Sequence, residues 1–178
     1  MLRLIPLLIL CVNTQVQMPV LGPWRFGMTK AEVTAFEKFG PYKDVRATGG
    51  TETFNGRFDG KKANISFVFD DKGLKRIQVW AYEGRSKEDA RKAWASLYSY
   101  VEKTYGPIEL PQIKAGPKSE PLTPDALSLA ATMQVTILGK VQMAPKKMPT
   151  GARVFSSFAS REIQGAPYFY LFLYLDRP

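Results

Sequence analysis

The chain has 178 residues, 45% of them hydrophobic, which is enough for an ordinary buried core in one domain or two small fused halves and excludes a disordered chain. It has no histidine and one cysteine, Cys11, so the commonest general base, the commonest metal ligand and any intrachain disulfide are excluded. The net charge of +9 favours anionic partners in general, yet its basic residues are scattered and form no run of five or more.

Arg3 precedes an apolar run from Leu4 to Val12, after which Asn13-Thr14-Gln15 restores polarity. At about nine residues the run is too short to cross a bilayer and fits the apolar region of a secretory leader. Residues 1–17 are therefore expected to be a signal peptide, which places the mature chain outside the cell or in the periplasm. Leu8-Ile9-Leu10-Cys11 also approaches a lipobox, but Leu10 stands where a small residue is expected, which favours plain secretion over lipidation of Cys11.

Residues 18–178 are expected to form a single α+β domain. Thr29 and Glu32 have capping-box spacing and start a helix expected to run from Lys30 to Phe39, stopped by Gly40-Pro41. Alternating apolar residues then predict strands over Thr51–Phe58, Lys62–Asp70 and Leu74–Tyr82, turned by Asp59-Gly60 and by Asp70 to Gly73. Phe54 and Phe58 are expected to share one face, as are Ile65, Phe67, Ile77 and Val79.

Ser86 opens a second helix over Lys87–Tyr105, with Ala90, Trp94, Leu97 and Val101 on one stripe, and Gly106-Pro107 ends it. Five prolines between Pro107 and Pro124 predict a linker or long surface loop. Beyond it, alternation from Leu127 to Leu138 predicts a strand, Gln142 to Gly151 a loop, and Arg153–Glu162 and Tyr168–Leu175 two further strands. The last is apolar on both sides, as a central strand requires. The helix-then-strands order recurs in two halves, 26–82 and 86–176, so antiparallel sheet packed by helices in a pseudo-repeat, α-β-β-β-α-β-β-β, is the expected architecture.

The segment Phe26-Gly27-Met28-Thr29-Lys30-Ala31-Glu32-Val33, followed by Gly40-Pro41 and a three-stranded meander, resembles small periplasmic domains of the BamE (SmpA/OmlA) type. It is also similar to the tandem-repeat architecture of the β-lactamase inhibitory protein. The resemblance covers residues 26 to 82, and it implies a helix packed on an antiparallel sheet and a role in binding proteins rather than in catalysis. Two features depart from those families: one clear helix per half where they often have two, and no disulfide.

Few residues suggest chemistry. Asp59, Asp70 and Asp71 fall at turns and lack calcium-loop spacing, Ser86 and Ser119 lack the surroundings of an activated nucleophile, and the glycines show no phosphate-binding spacing. No cofactor and no metal are expected. Arginine and aromatic side chains dominate binding hot spots, which singles out Arg57, Arg76, Trp80 and Tyr82 as candidate binding residues. Trp80 and Tyr82 fit exposed recognition and covered core equally, whereas the Tyr168, Tyr170, Phe172 and Tyr174 side is expected to be core.

The leading expectation is thus an exported, non-enzymatic domain that recognises a protein or envelope partner. A binder of anionic lipid or polyanion through Lys61, Lys62, Lys75, Arg76 and Arg91 is the second reading, and a hydrolase relying on paired carboxylates is the third.

Overall fold

The structure is a computed structural model that describes residues 20–113 and 123–178. The expected leader with Cys11, and the middle of the Pro-rich connection, lie outside the described residues.

Helix α1 (Lys30–Thr34) begins with the expected capping box: the Glu32 N–H donates to Thr29 Oγ1 at 3.3 Å and the Thr29 N–H to Glu32 Oε2 at 2.7 Å. It ends earlier than expected. The Trp24 indole N–H donates to the Val33 carbonyl (3.4 Å), which a continuing helix would offer to Glu37, and the Glu37 N–H bonds Ala35 O instead. The chain proceeds through a 3-10 turn, Glu37–Phe39, while the Trp24 ring lies 4.8 Å from both Phe39 and Phe67.

A short edge strand that the sequence pattern did not reveal, β1 (Tyr42–Val45), leads into the meander β2 (Gly50–Phe58), β3 (Lys61–Asp70) and β4 (Gly73–Gly84). The meander forms where alternation placed it. The motif Phe26-Gly27-Met28 is fastened to its last turn by backbone: Gly27 N–H to Leu74 O (3.0 Å) and Leu74 N–H to Met28 O (2.7 Å).

Helix α2 (Lys87–Tyr105), capped by Ser86, buries Ala90, Trp94, Leu97, Tyr98 and Val101. Part of the expected loop is a two-residue strand, β5 (Ile108–Glu109), and the expected strand over Leu127 to Leu138 is a helix, α3 (Pro124–Leu138). Thr123 caps it, Pro124 takes the first turn, and Gly139 closes it in the left-handed region at φ 72°. Its buried residues Leu127, Ser128, Ala131, Thr132 and Val135 recur at helical spacing. The period-two reading arose because the segment has apolar residues on every side, so either period could be traced through it.

Strand β6 (Lys140–Pro145) occupies the start of the expected Gln142–Gly151 loop, and β7 (Arg153–Ile163) and β8 (Ala166–Asp176) follow. The described residues form one eight-stranded antiparallel sheet, in the order β1-β2-β3-β4-β8-β7-β6-β5. The fold is therefore α+β with the sheet dominant.

Alternation splits this sheet into unlike faces. One carries buried Ile65, Phe67, Ile77, Val79, Val141, Met143, Val154, Phe158, Leu171, Leu173 and Leu175. Helices α2 and α3 lie on this face, with Trp94 5.6 Å from Phe158 and Tyr100 4.4 Å from Phe58. No helix among the described residues lies on the other.

Candidate functional site

The helix-free face takes its character from β8, whose side chains alternate half-buried and buried from Tyr168 to Asp176. Tyr168, Tyr170, Phe172 and Tyr174 form its half-buried set, and they make a continuous aromatic row rather than core. Neighbouring ring centroids lie 5.0, 6.1 and 5.7 Å apart along the row. Across the ladder, Trp80 on β4 opposes Phe172 and meets it edge-on at 4.8 Å and 83°. On the other side, Phe155 of β7 opposes Tyr174 and stacks on it at 4.7 Å and 20°. The expectation that Tyr168 to Tyr174 are covered is thus corrected: every described helix packs on the opposite face, and the rings shield one another instead.

Polar groups hold the row in place. Asp176 accepts from Arg76 Nε (2.6 Å) and Nη2 (2.7 Å), a bidentate pair that pushes the Arg76 pKa up. So held, the guanidinium lies over Tyr174 (4.9 Å to the centroid) and Phe155 (5.9 Å). The Trp80 indole N–H donates to Ser66 Oγ at 3.0 Å. Asn64, opposite Trp80, has a buried Oδ1 without a hydrogen-bond partner among the described residues. Desolvation raises the Tyr174 hydroxyl above the ordinary tyrosine range, with Arg76 opposing it. Around the row, Arg153, Arg161 and Lys140 are exposed and in register with this face.

Of the four residues singled out from sequence, Arg76 and Trp80 belong to this cluster, Arg57 lies on the same face two strands away through its pairing with Lys62, and Tyr82 leaves the face. A bulge between Trp80 and Tyr82 reverses the alternation, so Tyr82 is opposite buried Leu171 rather than on the side of Trp80. Its hydroxyl donates to Ser86 O (3.0 Å) and accepts from the Ser86 N–H (3.1 Å), anchoring the start of α2. A bulge between Thr53 and Gly56 likewise separates Phe54, which is exposed with Lys43 5.3 Å above its ring, from Phe58 on α2. Arg57, just past that bulge, lines a separate pocket of about 450 Å³ with Lys38 and Lys62. Phe155 and Asp176 had no distinguishing sequence signal, since their value comes from strands that meet only in the folded sheet.

The acidic residues behave as structural groups. Asp70 accepts two bonds from Arg177 Nη2 (2.7 and 2.6 Å) and one from the Lys72 N–H (2.9 Å), which together hold its carboxyl below the usual range. Glu32 is lowered by its capping bonds to Thr29, and Glu88 by Arg91. Charged carboxylates of this kind are poor proton donors near neutral pH. Among the described residues no three His, Cys, Asp or Glu side chains gather as a metal site requires.

Comparison of the chain with protein-family models, with curated proteins and with solved structures finds no match in any of the three.

Proposed function

We propose that this chain is an exported, non-enzymatic binding domain that docks a protein partner on the helix-free face of its sheet. The observation that carries this reading is the aromatic row Trp80, Phe172, Tyr174 and Phe155 with Arg76 clamped above it. Ring, guanidinium and rigid sheet together are the composition and preorganisation of a binding hot spot. The partner's chemistry follows from the rim: Arg153, Arg161 and Lys140 are exposed against one exposed carboxylate, Glu83 opposite Tyr170, while Asp176 is already occupied by Arg76. A partner that presents apolar side chains ringed by carboxylates complements this surface.

The pseudo-repeat belongs to the same reading. Exchanging β1-β2-β3-β4 with β5-β6-β7-β8 maps the strand order onto itself, with β4 and β8 meeting at the centre and α3 inserted between β5 and β6. Such a doubled meander supports the likeness to tandem-repeat periplasmic binders, and offers a wider face than one copy would.

The test is capture from an envelope extract by immobilised residues 18–178, followed by affinity measurement with the captured protein. Trp80→Ala and Tyr170→Ala should each weaken binding tenfold or more, about 1.4 kcal/mol. Met133→Ala, on the far side of α3, should not. A folded protein that retains nothing specific, or variants that bind as the parent does, would reject the proposal.

A further inference from the structure

We infer a second binding site: the pocket beside the β2–β3 hairpin takes a compact ligand with two or more phosphate, sulfate or carboxylate groups. Its lining is Lys38, Phe39, Asn55, Gly56, Arg57 and Lys62, around about 450 Å³. That volume lies within the range of small-molecule sites, roughly 300–1,000 Å³. Three of the six residues are cations and none is acidic. Among the described residues, Lys38, Arg57 and Lys62 enter no ion pair.

The register makes this arrangement costly without an anion. Arg57 and Lys62 are direct partners across the β2–β3 ladder, where like charges are destabilising. Asp59 at the hairpin turn lines the neighbouring cavity with Lys61 and Lys62 but pairs with neither. Lys38 supplies the third charge from the 3-10 turn, its Nζ lying 4.9 Å above the Phe39 ring instead of on a carboxylate. Like charges set side by side with no carboxylate partner mark a place where something other than stability is served.

The walls of the pocket are also fixed. Thr53 Oγ1 donates to Phe39 O and accepts from the Asn55 N–H (3.0 Å), and Asn55 Nδ2 donates to Gly40 O. These bonds tie the bulge of β2 to the 3-10 turn, so the cations stand on linked backbone rather than on a free loop. Arg57 supplies the fork that grips two oxygens of one group, while Lys38 and Lys62 act as point charges for a second.

Pyrophosphate is a suitable probe, with calorimetric titration and thermal melting as readouts. The parent should bind and melt higher as pyrophosphate is added, and the affinity should fall steeply with added salt. Arg57→Gln and Lys38→Gln should each weaken binding at least fivefold, while Lys147→Gln, which removes the same charge from an exposed loop, should leave it unchanged. Lys62→Glu converts the like pair into an opposite one: it should raise the melting temperature without ligand and abolish the pyrophosphate-induced rise. Equal losses in the Lys147→Gln and pocket variants, a Lys62→Glu protein that melts lower, or no binding by the parent would each overturn the proposal.

Discussion

Single residues in this chain are held by two kinds of constraint, contact and backbone conformation. Trp24 is completely buried between Phe39 and Phe67, and its indole N–H ends α1. Trp24→Ala should cost about 3–5 kcal/mol in denaturant unfolding, the range for a large aromatic removed from a core. Gly73 and Gly139 both adopt positive φ, but they differ in what surrounds them. A Cβ at Gly139 meets nothing within 4 Å, so Gly139→Ala should cost only the conformational penalty, about 1–2 kcal/mol. A Cβ at Gly73 would overlap the Gly27 carbonyl, so Gly73→Ala should cost more than Gly139→Ala and loosen the Phe26-Gly27-Met28 segment from β4. The two melting curves decide the matter.

One titration also belongs to this scale. Tyr105, at the end of α2, has its hydroxyl pushed up to about 12, first by desolvation and then by Tyr100. The neutral phenol is the form the fold favours. Its contribution is therefore full below the unfolded value near 10 and is lost as pH rises from there toward about 12. Stability of the parent should fall more steeply over that interval than that of Tyr105→Phe, and equal slopes would refute the assignment.

Among the elements, legibility followed the strength of punctuation. Capping pairs at Thr29 and Ser86 and glycine turns at Asp59-Gly60 and Gly73 located α1, α2 and the β2-β3-β4 meander. The segment from Leu127 to Leu138 fits a strand period as well as a helical one because α3 carries apolar residues on every side: Leu129, Met133 and Ile137 are exposed, Ile137 at 75%, opposite the buried Leu127, Ala131 and Val135. A sequence pattern reports which residues are apolar, and here only packing decides which of them face the sheet. Leu127→Ala should accordingly cost about 2 kcal/mol or more, whereas Ile137→Ala should stay within about 0.5 kcal/mol. Equal effects would mean that α3 is not seated as described.

At the scale of the molecule, β4 and β8 are the seam. They join strands β1–β4 to strands β5–β8, while α2 packs against β4, β8 and β6 and so spans both sets. Neither half can bury its share of the core without the other, because separation bares a strand edge and leaves half of α2 unpacked. The protein should unfold in one cooperative transition, with the slowest hydrogen exchange in β4 and β8, and residues 20–84 produced alone should show no dispersed amide spectrum. Two resolved transitions would contradict this.

Composition removed histidine chemistry and any intrachain disulfide, and local pattern set most of the helices, strands and turns, because caps, turns and alternation act between near neighbours. Register, bulges and the choice of covered face were decided only by the tertiary structure. A bulge moves every following side chain across the sheet, which took Tyr82 away from Trp80 and Phe54 away from Phe58. The face on which helices pack depends on contacts between residues as distant as Trp94 and Phe158. So too the aromatic cluster is completed only when strands remote in sequence pair, Arg76 with Asp176 and Trp80 with Phe172, and the cation pocket only when the 3-10 turn carrying Lys38 is tied to the bulge of β2 beside the Arg57–Lys62 pair.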